Sequence, residues 1–505
     1  MTGTTETRTY AEKGDRKSCH GRMWCWLGSL LLLLVLATGV WLGIRFGTDR
    51  AVTYQDDVEH FKYGSTGGER ESGFPYWIWR ALPTVCADYL PGEGYASLGM
   101  IFEKGKDLPV GVSKRRVTGL DRVFLNCAAC HTNTVRDTPQ SEPRLIAGMP
   151  SNTLNLLAFE NFFFGCAADA RFSPDQILPA IEALNADLDL IDRYLVYPLA
   201  VLLMRDQVLM LKKRFDFVAH QPAWGPGRVD TFNSAKVIFN FPLDKAAPEE
   251  LIGASDFPSI WNQRRRQGMQ LHWDGNNTRV EERNRSAAFG TGATPPTLDR
   301  ESIRRTENWL LDATPPAWPY GALDAALVER GSNIYRHYCA ECHGASGKDF
   351  SGARVGTVVP IKEIGTDRGR LDSYTRVLAL NQSMLYAGYG DERFSNFRKT
   401  NGYANMPLDG LWLRAPYLHN GSVPTLRDLL EPAVRRPVQF YRGYDVYDPV
   451  RVGFVHNVAA EGERRFFLYD TQVAGNSNQG HEGRAYGTEL PDEDKEALVE
   501  FLKSF

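Results

Sequence analysis

The chain has 505 residues and a formal net charge of −3, from 58 basic and 61 acidic side chains. Hydrophobic residues at 43% and charged residues at 24% are globular values. They exclude a disordered, collagen-like or polytopic membrane chain. The balanced charge leaves no basic footprint, so no nucleic-acid partner is expected.

The first element in chain order is an apolar run. Trp24 to Ile44 carries no charge and centres on Leu30–Val35. At about 1.5 Å per helical residue it is long enough to cross a hydrocarbon core of about 30 Å. Arg8, Lys13, Arg16, Lys17 and Arg22 precede it, and positive charge prefers the cytoplasmic side. The reading is a cytoplasmic tail over 1–23 and a transmembrane signal anchor over 24–46. It predicts a single-pass inner-membrane protein whose soluble part faces the periplasm. A cleaved signal peptide is the competing reading, with Ala37-Thr38-Gly39 as cleavage site. Trp41 and Arg45, placed as interfacial anchors, favour the uncleaved form. No second run of this kind is evident in the sequence.

Eight cysteines follow a pattern. Cys19 and Cys25 sit beside or within the anchor. Cys86 and Cys166 are isolated, and an oxidising compartment permits them to bond, although buried free thiols fit as well. The remaining four form Cys127-Ala-Ala-Cys130-His131 and Cys339-Ala-Glu-Cys342-His343. Cysteines three apart on a helical turn point the same way, and the next residue's imidazole can reach a metal beside them. Cys-x-x-Cys-His is the signature of c-type haem attachment. Zinc would need further ligands nearby, and a thioredoxin-like pair would need a βαβ pattern; neither is present. Two covalent haems are expected, held through Cys127, Cys130, Cys339 and Cys342, with His131 and His343 as proximal iron ligands.

Ser173 to Phe217 reads as helical, from an N-cap serine followed by Pro174. The basic run Lys212-Lys213-Arg214 reads as a solvated face. Thr314-Pro-Pro-Ala-Trp-Pro319 is a linker, because three prolines forbid regular helix. It divides an N-terminal haem domain with insertions, 47–313, from a C-terminal cytochrome c domain, 314–505. In the latter, Leu327 to Tyr338 predicts a helix leading into the second motif, with Gly331 admitting another helix closely. The segment from Pro491 predicts an amphipathic terminal helix that pairs with it. The fold class is mainly α with extensive loops, two cytochrome c-type domains behind one transmembrane helix.

One block carries a resemblance. Pro407-Leu-Asp-Gly-Leu-Trp412-Leu-Arg-Ala-Pro416-Tyr417-Leu-His419-Asn-Gly421-Ser-Val-Pro424 resembles the Ala-Pro-Tyr-x-His-x-Gly-Ser block of bacterial di-haem cytochrome c peroxidases and their relatives. With Gly475-Asn-Ser-Asn-Gln-Gly-His481-Glu, and Phe257–Asn277 in the middle, it looks most similar to the rubber-oxygenase branch. The resemblance implies one haem as electron reservoir and one that meets peroxide or dioxygen. It also implies a redox donor protein or quinol pathway as partner. The anchor departs from the soluble secreted rubber enzymes and argues against an insoluble polymer substrate.

An open axial position lets haem iron bind oxidant, whereas two strong side-chain ligands make it an electron carrier. For the C-terminal haem the resemblance ranks His481 first as distal ligand, Met406 second, and places His419 in the haem surroundings. For the N-terminal haem an open site is expected, with Met149 or His272 near it; His419 and His272 are the candidate catalytic residues. Trp224, Trp261 and Trp273 are candidates for electron transfer between haems. Asn276-Asn277 suggests calcium, an ion that usually takes 6–8 oxygen ligands. A peroxidase-like or oxygen-activating oxidoreductase is the first reading. A non-catalytic electron carrier and a haem-based sensor or assembly factor are the alternatives.

Overall fold

The computed structural model describes residues 1–3 and 17–505. Arg8, Lys13 and Arg16 lie outside the described residues, as do the side chains of Lys17, Cys19, His20, Arg22 and His220. The chain divides into two compact units, 1–50 with 116–120, and 51–115 with 121–505.

The first unit is dominated by a helix over Lys17–Gly47. Its stretch Trp24–Gly47 is long and apolar enough to cross a membrane, and Leu30 to Leu36 are all exposed. Near its end the Arg45 guanidinium lies over the Trp41 and Phe46 rings, at 5.2 and 5.5 Å. Cation–π contact of this kind keeps a charged group beside apolar rings, as an interfacial position requires.

The second unit mixes helix and strand, which corrects the expectation of a mainly α fold. Its strands are short, two to six residues, and pair in small antiparallel sheets within the loop-rich segments. Thr132–Val135 pairs with Arg144–Ala147, and Gln439–Arg442 with Phe467–Asp470. These pairs satisfy backbone groups in stretches whose glycines and prolines forbid long helices.

The helix over Ala325–Tyr338 is capped by Asp324, whose side chain accepts from Ala326 and Leu327 N–H. It packs on the terminal helix Asp492–Leu502. Gly331 marks the crossing: a Cβ there would stand 2.0 Å from the Ala497 carbonyl oxygen. The expected linker is a packed strap, with Trp318 edge-on to Trp412 and Tyr320 stacked on Tyr447. One hydrophobic cluster joins Val135, Met149 and Trp261 to Tyr335, Trp412 and Leu498. The two motif-bearing halves therefore share a core, and packing is continuous across residue 314.

The expected helix over Ser173–Phe217 is two helices. Pro174–Ala183 ends before Asn185, which adopts φ +56°. Asp189 then accepts from the Ile191 and Asp192 N–H groups and starts a second helix, which runs to Arg214 through a π-helical turn. Asp192–Arg214 is also long and apolar enough to cross a membrane, although part of it is buried. The sequence reading missed it because Arg193, Arg205 and Asp206 interrupt the apolar run. Cys86 and Cys166 form a disulfide with Cα atoms 5.6 Å apart, inside the usual range.

Candidate functional site

The first Cys-x-x-Cys-His motif sits on one helical turn, Cys127–Cys130. Asn126 caps it, accepting from Ala128 N–H and donating to the Lys62 and Gly64 carbonyls. The chain at Gly111 runs so close that a Cβ there would meet Ala129 Cα at 2.3 Å. Only glycine fits, and the turn is clamped from behind. His131 Nδ1 lies 2.8 Å from the Pro258 carbonyl. A carbonyl can only accept, so Nδ1 carries the proton and Nε2 keeps its lone pair free for a metal. Burial, with Arg283 nearby, lowers the His131 pKa to about 3, so the ring is neutral.

The second motif repeats this arrangement. Cys339 ends the Ala325–Tyr338 helix, and Ala340–His343 forms the next turn. His343 Nδ1 lies 2.7 Å from the Met406 carbonyl, so its Nε2 is likewise free. Burial raises all four motif thiols: Cys127 to about 11, Cys130 and Cys339 to about 12, and Cys342 in the same direction. None of the four is in a disulfide. A thioredoxin-like pair needs a lowered thiol pKa, which these sites do not provide.

The His481 ring faces His343 with centroids 6.3 Å apart. Two imidazoles sharing one metal at about 2.0 Å per bond, each ring centre about 1.1 Å further, stand about 6 Å apart. The spacing therefore fits a metal between them. The Gly475–Gly480 run carries His481 there. Arg436 donates to the Asn478, Gly480 and His481 carbonyls, and His481 N–H donates to Ile364 O. His481 adopts φ +47°. Burial, the nearby His343 ring and Arg436 lower its pKa to about 3. Its Nδ1 is buried without a hydrogen-bond partner. Glu482 instead accepts from Ala433 N–H. The backbone, not a side-chain bond, holds this histidine.

Met406 meets His343 through its backbone. Its carbonyl serves His343, and its sulfur has Arg266 Nη1 as neighbour at 3.9 Å. His419 is buried and stacks on Tyr403 at 4.0 Å. Tyr403 Oη donates to the Asp367 carbonyl, so it accepts from His419 Nε2, 2.9 Å away. Burial, then Arg370 and Arg228, hold His419 well below the usual histidine range.

His272 lines a cleft with Phe257, Trp273, Arg283, Met406 and Arg414. It adopts φ +64°, and its Nε2 is buried with no partner. Burial, Arg283 and Arg370 hold its pKa well below the ordinary value. Arg266 and Arg414 converge on the buried Asp409, while Arg283 Nε has no partner. The sequence reading missed these arginines, because their pairing joins distant segments. Asn126, an N-cap type directly before a motif, was findable.

The tryptophans separate. Trp261 Nε1 donates to the Ala147 carbonyl, next to Gly148, which itself bonds the His131 carbonyl. The far edge of the Trp261 ring meets Gly410. Trp273 donates to the Asp256 carbonyl and Trp224 to Gln221. Asn276 is buried with both side-chain atoms unpartnered, while Asn277 is engaged by Arg279 N–H and Glu282. Among the described residues no group of three or more His, Cys, Asp or Glu is placed to hold a metal. The calcium expectation gains no carboxylate ligand set.

The Cys-x-x-Cys-His turns and their carbonyl-bound histidines describe a c-type cytochrome domain, which carries covalent haem c and its iron. Residues 402–441 match the RoxA-like, cytochrome c-like family. That match covers the stretch that holds His419 and the Met406 carbonyl bonded to His343. Two relatives come from Sinorhizobium fredii. The uncharacterized protein y4iM is 32% identical over 294 residues, which is 50% of this chain and 64% of y4iM. The uncharacterized protein y4iJ is 27% identical over 528 aligned positions, 84% of this chain and 85% of y4iJ. The chain thus spans a little under two thirds of the first relative.

Proposed function

We propose that this protein is a membrane-anchored, periplasmic di-haem c-type oxidoreductase of the rubber-oxygenase-like and di-haem peroxidase kind. One haem stores electrons and the other reacts with peroxide or dioxygen. The observation that carries the reading is the asymmetry of the two centres. His343 lies beside a second imidazole, His481, with centroids 6.3 Å apart, whereas the ring packed against His131 is that of Phe257, at 6.5 Å, which cannot ligate a metal. Bound haem iron supplies one-electron exchange and, where an axial position is open, a place for a small oxidant.

The chain's residues divide the work. The Pro258 and Met406 carbonyls orient His131 and His343, and a ligand so oriented is a stronger donor. His343 and His481 close the C-terminal centre against exogenous ligands. In the cleft that His272 lines, burial keeps its ring neutral with Nε2 unpartnered, and Arg283 favours bound negative charge. His419 touches Tyr403 rather than a cleft, which gives it a positioning role. Trp261, spanning from the Gly148 turn to Gly410, is the side chain suited to connect the centres. Electrons come from a redox donor protein or quinol pathway.

Electron paramagnetic resonance of the resting ferric protein tests this. We expect one low-spin and one high-spin centre, and a mass increase of two haems. His481→Ala should turn the low-spin centre high-spin and leave the other unchanged. Two low-spin signals in the parent protein would make it an electron carrier. Conversion by Met406→Ala instead would reassign the distal ligand.

A further inference from the structure

The helix ending at Arg214 has a face that no other described element covers. Tyr197, Ala200, Val201, Met204 and Val208 are buried, and the helix packs on Leu156–Ala168 and Pro174–Ala183. On the opposite side Tyr194, Leu195, Leu199, Leu202, Leu203 and Met210 are each between 50% and 71% exposed. A lone exposed leucine needs no explanation, but a run over several turns does. Lys212, Lys213 and Arg214 follow at once, all exposed. Asp206 and Gln207, both exposed, interrupt the stripe between Leu203 and Met210.

We propose that this face is a membrane-contact surface, lying in the headgroup layer of an anionic bilayer. It rests on the anchored reading above. Three observations select lipid over a protein partner. Two exposed carboxylates, Asp206 and Asp216, stand against the three cations that end the apolar stripe, so net positive charge remains to complement anionic lipid. The Tyr194 ring has an apolar body and a polar tip, suited to the interface. The segment also resembles a spanning helix in length and composition, yet its other face is committed to packing, so it can lie on a bilayer but not cross one. The anchor holds the second unit near the bilayer, so even weak contact is populated. Seated this way, the stripe would enter about 5–10 Å into the headgroup and acyl boundary.

The test uses the full haem-loaded chain with a protease site inserted after Gly47, reconstituted into phosphatidylethanolamine–phosphatidylglycerol vesicles. After cleavage the released unit should still float with the vesicles and dissociate in high salt. Leu199→Glu, Leu202→Glu and Leu203→Glu together should lower its partition at least tenfold. Lys212→Gln, Lys213→Gln and Arg214→Gln together should weaken binding to these vesicles but not to neutral ones. An unchanged haem spectrum verifies folding of each variant. Release of the parent unit on cleavage overturns the proposal and leaves the anchor standing. If the uncut chain is stripped by alkaline carbonate but the cut unit still floats, the anchor fails and the surface stands. Equal flotation of the leucine variant, or a soluble dimer of the cut unit that this variant abolishes, overturns the membrane assignment.

Discussion

His419 and Tyr403 form a buried pair whose protons are fixed by Asp367. The Tyr403 hydroxyl gives its hydrogen to the Asp367 carbonyl, so His419 must donate from Nε2, and burial keeps the ring neutral. Its folded pKa lies well below 6.5. Above that value both folded and unfolded states are neutral there, and the group adds no pH dependence. Below it the unfolded chain takes a proton that the folded one refuses, so stability falls as pH drops. One such group contributes a slope approaching about 1.4 kcal/mol per pH unit. Denaturant titrations from neutral pH down to the acid limit should show this fall, and His419→Asn should flatten it. Equal slopes in both proteins would mean that His419 is protonated in the fold. Tyr403→Phe should cost about 1–2 kcal/mol, because it leaves a buried imidazole N–H unpaired.

Among the elements, the crossing of Ala325–Tyr338 with Asp492–Leu502 depends on one missing methyl group. Gly331→Ala gains about 1 kcal/mol of helix propensity. It also drives a Cβ into the Ala497 carbonyl, and overpacking of this kind costs about 1–3 kcal/mol or more. We expect net destabilisation, read as a lower thermal midpoint, with a disturbed haem spectrum. A variant as stable as the parent would show that the helices slide apart freely. Both helices, and the role of Gly331, were legible in the sequence, because apolar spacing and Pro491 mark them locally. The break at Asn185 was not. Nothing in the pattern of Ser173–Phe217 distinguishes a left-handed asparagine from a helical one. The short sheets escaped for a similar reason, since pairs such as Gln439–Arg442 with Phe467–Asp470 join segments that carry no alternation of their own. At the sites, the motif cysteines and histidines were readable from spacing alone. The Pro258 and Met406 carbonyls that orient them, and the Arg283 cleft, come from long-range folding.

At the scale of the whole molecule, topology decides whether either centre can be assembled. Protease added to spheroplasts should remove the part after Gly47 while leaving cytoplasmic markers intact; protection would mean an inverted orientation. The Cys86–Cys166 bond agrees with an oxidising side. Its position along the chain has a separate effect. Cys127, Cys130 and His131 all lie inside the loop that this bond closes, whose ends are 80 residues apart. In the chain-entropy picture a ring of that size removes about 4–5 kcal/mol of freedom from the unfolded state. The second motif lies outside any such ring. Without porphyrin, the first motif is therefore corralled by the ring, while the second is held by packing. A chain reduced on the wrong side of the membrane would lose that head start at Cys127, Cys130 and His131, with the second motif left as it was.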